Sequence, residues 1–115
     1  MDVDEIIFGA INQKMEEIGI VLFESTERAD PTLPCLSFAT TATPRHTIDG
    51  STYQYDVAVE FILYTATSED RASLAGKVQD IVEDVGIHVT KTQKVPVDIN
   101  TQQYAMQICA TCTIA

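Results

Sequence analysis

The centre of the sequence, residues 51–86, combines an alternating strand with an amphipathic helix that follows it directly. Apolar side chains occupy every second position of the first part: Tyr53, Tyr55, Val57, Val59, Phe61 and Leu63. Successive strand residues point to opposite faces, so this pattern predicts a half-buried strand. From Ser68 the apolar spacing changes to three and four residues, which predicts a helix with Ser68 as its N-cap and Gly86 at its end.

The flanking sequence adds a helix and four shorter strands to this unit. Residues 2–18 form an apolar stripe with helical spacing, an acidic first turn and Gly19 directly after it. Strands are predicted over residues 20–24, 35–42, 87–94 and 103–114. Pro96 interrupts the strand of residues 87–94, so residues 95–102 are expected to form a connection.

The resulting element order is α-β-β-β-α-β-β. Short links between consecutive strands favour a mainly antiparallel sheet, with the two amphipathic helices packed on one face. We therefore predict an α+β fold. The length of 115 residues suits one domain, residues 1–115, which can bury roughly 65% of its unfolded surface.

The link between the second and third strands is too long for a tight hairpin. It covers residues 43–50, and Asp49-Gly50 supplies a turn signal. We expect an extended, partly mobile hairpin tip. Its residues include part of the chain's scarce basic and imidazole content: Pro44, Arg45, His46, Ile48 and Asp49.

Charge and composition narrow the class of protein. The formal net charge is −10, from 7 basic and 17 acidic residues, which argues against a surface that grips nucleic-acid phosphates. The acidic N-terminus is unlike a signal peptide, and no apolar run approaches the ~20 residues that span a membrane. These features predict a soluble cytosolic protein whose three cysteines are free thiols.

Motifs that carry chemistry are scarce. Cys109 and Cys112 match CxxC, but the predicted strand places them on opposite faces, whereas redox pairs usually begin a helix. His46 and His88 have no metal-ligand spacing, and the carboxylates lie on polar helix faces. Tyr53 and Tyr55 could stack bases, although a sheet face packed under helices explains them better. We expect no catalytic residue, no metal and no cofactor.

The chain resembles the small tail terminator, or tail-completion, proteins of long-tailed phages and prophages. The resemblance covers most of the 115 residues and consists of pattern and order. Its parts are the N-terminal helix leading into Ile20-Val21-Leu22-Phe23, the X-Pro strand entry Leu33-Pro34-Cys35-Leu36-Ser37-Phe38, the long strand of residues 53–64, the helix beginning Ser68-Glu69-Asp70-Arg71-Ala72-Ser73-Leu74-Ala75, and the last strand containing Tyr104-Ala105-Met106-Gln107-Ile108.

The resemblance implies a virion assembly protein without catalysis. Proteins of this family form a ring, typically a hexamer, that caps the finished tail tube and joins it to the head–tail connector. DNA passes through the central hole without specific binding, and no membrane is involved. The implied location is the tail–head junction of a virion made in the bacterial cytoplasm, with the hairpin tip in contact with a subunit or the tube.

Three other interpretations stay open at this point. A head–tail connector or neck protein has a similar size and pattern. A ferredoxin-like cytosolic module would have an apolar ligand pocket and be a monomer or dimer. A compact α+β enzyme would require a convergent polar site.

Overall fold

A computed structural model shows two helices and five strands in the predicted order α-β-β-β-α-β-β. The structure describes residues 2–24, 33–46, 53–98 and 103–114. The elements are α1 (Val3–Glu17), β1 (Val21–Glu24), β2 (Cys35–His46), β3 (Tyr53–Thr65), α2 (Ser68–Asp84), β4 (His88–Asp98) and β5 (Gln103–Ile114). The predicted α+β class is confirmed.

The strands form one sheet in the order β1-β2-β3-β5-β4. Three pairings are antiparallel, and β1 pairs with β2 in parallel, so the sheet is mixed but mainly antiparallel. Strand β5 lies between β3 and β4, which leaves β4 at one edge of the described sheet and β1 at the other.

Both helices pack on the same face of this sheet. Helix α1 contacts β1 and β2, α2 contacts β3, β4 and β5, and the helices contact each other. On β3, the alternating residues predicted to be apolar-inward are buried from Val57 to Leu63, and Phe61 lies directly opposite Phe38 and Ile108. The period-two pattern therefore identified the face of β3 that the helices cover.

The helix starts differ from the predicted ones by one residue. Asp2 is the N-cap of α1, because its Oδ1 accepts hydrogen bonds from the backbone N–H groups of Asp4 and Glu5. Thr67, rather than Ser68, is the N-cap of α2, and its hydroxyl accepts from the N–H of Asp70 at 3.1 Å. Thr67 and Ser68 both have a hydroxyl that can cap the helix, and the extended backbone of Thr67 makes it the N-cap.

Both helices end in the same hydrogen-bonded motif. After α1, the N–H of Gly19 donates to Glu16 O and that of Ile20 donates to Met15 O. Residues Gly86 and Ile87 repeat these two bonds after α2. Both glycines have positive φ, 78° and 92°, and the isoleucine that follows each is buried. This is the Schellman arrangement, which satisfies the last carbonyls and turns the chain back onto the core.

Two strands are longer than predicted. Strand β2 continues to His46, so residues 43–46, which were predicted to be part of a connection, pair with β3 instead. Strand β4 runs through Pro96 to Asp98, although a break was expected there. Because β4 is an edge strand, the missing N–H of Pro96 does not interrupt a pairing on its outer side.

Candidate functional site

The far end of the β2–β3 pair extends beyond the helices. We call residues 43–46 with their partners 53–56 the distal ribbon. On the side that the helices cover elsewhere, Ala42 and Pro44 are exposed, and the hydrogen bond from the Thr40 hydroxyl to Asp4 places the start of α1 just before them. The molecule measures 53 × 26 × 25 Å, with a radius of gyration of 15.1 Å. A compact chain of this length would have a radius of about 13 Å, so the shape is elongated.

Three of the five predicted contact residues lie in this ribbon. Pro44, Arg45 and His46 lie in β2, opposite Tyr55, Gln54 and Tyr53, respectively. The prediction that His46 lies in a loop is therefore wrong. Ile48 and Asp49 lie outside the described residues. The proposed contact with a subunit or tube stays a prediction.

The sheet face opposite the helices is open over its distal half. Its centre is the β3 row Asp56, Ala58 and Glu60, all of them exposed. Their neighbours on β2 and β5 are short side chains: Ala39, Thr41, Thr43, Cys109, Thr111 and Thr113. At the other end of this face Cys35, Ser37 and Ala105 are buried. We call the exposed half the open face.

A shallow concavity of about 740 Å³ lies on the open face. Threonine hydroxyls, the Asp56 carboxylate and the His88 imidazole contribute its polar groups. The strand position predicted for His88 is confirmed, and its side chain is exposed. Within the described ranges, no three His, Cys, Asp or Glu side chains are placed to hold a metal ion. The concavity therefore combines threonine hydroxyls, one carboxylate and one imidazole on an open wall.

The two cysteines of the CxxC sequence point to opposite faces of β5, as predicted. Cys109 lies opposite Glu60 on the open face, and Cys112 lies opposite Val57 on the helix side. Burial raises the pKa of the Cys112 thiol, which disfavours the reactive thiolate. The pair therefore cannot act as a vicinal dithiol in this fold.

A salt bridge links the ends of the two helices. The Lys14 ammonium donates to Asp84 Oδ2 at 2.8 Å. This hydrogen bond, together with the positive charge of Lys14, lowers the pKa of the Asp84 carboxyl. Both side chains are largely exposed, so the pair orients the helices and contributes little to stability.

The two edges of the sheet present surfaces that the sequence did not reveal. At the β1 edge, Phe8 and Val21 are 36% and 47% exposed beside a groove of about 370 Å³ between α1 and β1. At the other edge, β4 presents Lys91 and Lys94 to solvent. The sequence did not reveal these surfaces because it predicted neither the buried faces of β1 and β4 nor their place in the sheet.

Comparisons with protein-family models and with curated proteins gave no match. None of the described helices is long and apolar enough to cross a membrane.

Proposed function

We propose that this protein is a non-enzymatic virion assembly factor: a ring-forming tail terminator that caps a tail tube and joins it to the head–tail connector. The proposal combines the sequence resemblance with a fold that has the element order this resemblance required. Catalysis has no part in it.

The distal ribbon is the observation that carries the proposal. On its β2 side this extension buries little surface in the isolated chain, because Thr43 and Pro44 are exposed. On its β3 side Tyr55 packs against the core and pairs with β5. Ordering such an extension costs conformational entropy that few local contacts offset. A ring or tube contact supplies those missing contacts, so the ribbon is best explained as an assembly element.

The open face is compatible with a passage for DNA. Asp56 and Glu60 place negative charge at its centre, and the chain as a whole carries a net charge of −10. A wall of this sign repels phosphates and gives no grip on a moving duplex. The short neighbouring side chains also leave this wall smooth.

The same face is a weak candidate for a small-molecule site. Ligand pockets usually bury about 70–90% of the ligand surface among apolar and aromatic side chains. Here the concavity is open, and its described lining consists mainly of threonines and other short residues. We therefore favour the ring over the binding module.

The test is assembly with and without the distal ribbon. Replacing residues 44–55 by Asn-Gly closes the strands directly after the opposed pair Thr43 and Asp56, which both have the backbone N–H that a two-residue turn needs to preserve the register. The matched control is Asp80→Ala, an exposed substitution on α2. Light scattering and negative-stain imaging would be recorded with and without the tail-tube protein of the same phage or prophage.

The wild type and the control should form closed rings, free or on the tube, and the shortened variant should not. A ribbon-deleted chain that still forms rings and caps tubes would remove the role assigned to the ribbon. A wild type that stays monomeric or dimeric with the tube protein present would overturn the tail-terminator proposal.

A further inference from the structure

We infer that copies of this chain join head to tail, with the basic edge of β4 in one copy seated against the acidic groove between α1 and β1 of the next. This inference rests on the proposed ring and names the two surfaces that close it. The occupant of each edge is a second copy of the same chain.

The two surfaces lie at opposite edges of the described sheet, because the strand order places β1 first and β4 last. A contact between different surfaces of identical chains is heterologous, and repeated contacts of this type close a ring when the rotation between copies permits. A contact of one edge with its own copy would give only a dimer. The positions of the edges therefore favour a ring or a filament.

The β4 edge is basic and unsuited to backbone pairing. Strand β4 contains Lys91 and Lys94 and one carboxylate, Asp98 at its end, so lysines outnumber acidic residues. Its register shifts between Val89 and Lys91, and Pro96 lacks an N–H. Bulges, lysines and proline are the features that prevent uncontrolled strand addition. Side chains, rather than a backbone ladder, must carry any contact made here.

The groove at the other edge combines apolar surface with acidic side chains. Phe8 and Val21 supply the exposed apolar area, and Glu16 lies on the groove wall. Glu5 is exposed and, at helical spacing from Phe8, lies on the same side of α1. Asn12 donates to Glu16 at 3.3 Å, which holds that carboxylate along the groove.

The two edges carry opposite charges, and a lysine side chain suits a groove that is partly apolar and partly acidic. The register of β4 places Lys94, opposite Met106, on the helix side of the sheet and Lys91, opposite Cys109, on the open face. Lys94 can therefore lie with its methylene stem on Phe8 while its ammonium reaches a carboxylate of α1. Among the described residues, neither Lys91 nor Lys94 forms an ion pair. The neighbouring copy provides the partners that this copy lacks.

Charge reversal on each edge gives a direct test. One double variant, Lys91→Glu with Lys94→Glu, makes both edges acidic. The other, Glu5→Lys with Glu16→Lys, makes both edges basic. Each variant alone should raise the concentration needed for ring assembly by about tenfold or more, because like charges then meet at every contact.

Mixing the two double variants should restore assembly. An acidic β4 edge then meets a basic groove, a basic β4 edge meets an acidic groove, and the two variants alternate around rings with an even number of copies. The fourfold variant should also assemble alone, because both of its edges are reversed together. Ring formation would be measured by light scattering and imaging, and folding by circular dichroism melts.

The control for the groove variant is Glu69→Lys with Asp80→Lys, which raises the net charge by the same amount at exposed positions of α2 and matches the first-turn position of Glu5. It should assemble like the wild type. Rings that tolerate both edge variants would overturn this interface while the proposed function stands. A wild type that never forms rings, even on tubes, would overturn both.

Discussion

Replacing Gly86 with alanine should destabilise the protein, whereas the same replacement at Gly76 should stabilise it. Gly86 follows α2 with φ of 92°, and Gly76 lies inside the same helix. A Cβ added at either position meets no other atom within 4 Å. The added methyl group therefore makes no new contact at either position, and the backbone conformation alone determines whether the substitution stabilises or destabilises the protein.

The expected magnitudes follow from these conformations. A non-glycine residue in the left-handed region costs about 1–2 kcal/mol. In a helix interior, alanine is better than glycine by roughly 0.5–1 kcal/mol. A chain of this length unfolds with an entropy of about 0.24 kcal/mol/K, so 1 kcal/mol corresponds to about 4 °C in Tm.

Thermal melts followed by circular dichroism would measure both variants under identical conditions. We expect Gly86→Ala to lower Tm by about 4–8 °C and Gly76→Ala to raise it by about 2–4 °C. Urea unfolding should give the same order of stability. A neutral or stabilising result at Gly86 would refute the left-handed end of α2, together with the turn that directs Ile87 into the core.

Three further substitutions or measurements test local features. Thr67→Ala should cost about 1 kcal/mol because it removes the N-cap, while Ser68→Ala should stay within about 0.5 kcal/mol in the same urea titration. Asp84→Asn removes the partner of Lys14. Because the folded-state pKa of Asp84 is lowered, the small stability difference from wild type should be present at neutral pH and vanish as the pH falls below about 4. Alkylation of Cys112 at pH 8, followed by mass spectrometry, should be slower in the folded protein than in urea, because burial raises the pKa of its thiol, and equal rates would contradict its half-buried position.

The order of residues along the chain predicted the helices and strands well where interactions between sequence neighbours determine them. The alternation from Tyr53 to Leu63 identified the buried face of β3, since strand geometry fixes side-chain direction at period two. Gly19 and Gly86 marked both helix ends, because only glycine accepts positive φ at little cost. The N-cap was displaced by one residue because Thr67 and Ser68 both have hydroxyls, and only the backbone conformation distinguishes them.

The candidate surfaces were harder to predict. Pro44 and Arg45 were predicted to lie in a connection, whereas they form part of β2, because their strand pairing depends on β3 across the hairpin. The groove beside Phe8 requires knowing that β1 is an edge and that α1 lies next to it. The alternation of apolar and polar residues along a strand does not show where that strand lies in the sheet, because the same pattern suits a central or an edge strand.

The sequence by itself thus determined the fold class, the order of elements and the buried face of β3, since side-chain period and glycine conformation are local properties. Only the tertiary structure decided the strand order, the parallel pairing of β1, the insertion of β5 and the length of the distal ribbon. These depend on contacts between residues far apart in the chain. The same contacts place an acidic groove and a basic strand at opposite edges of one sheet.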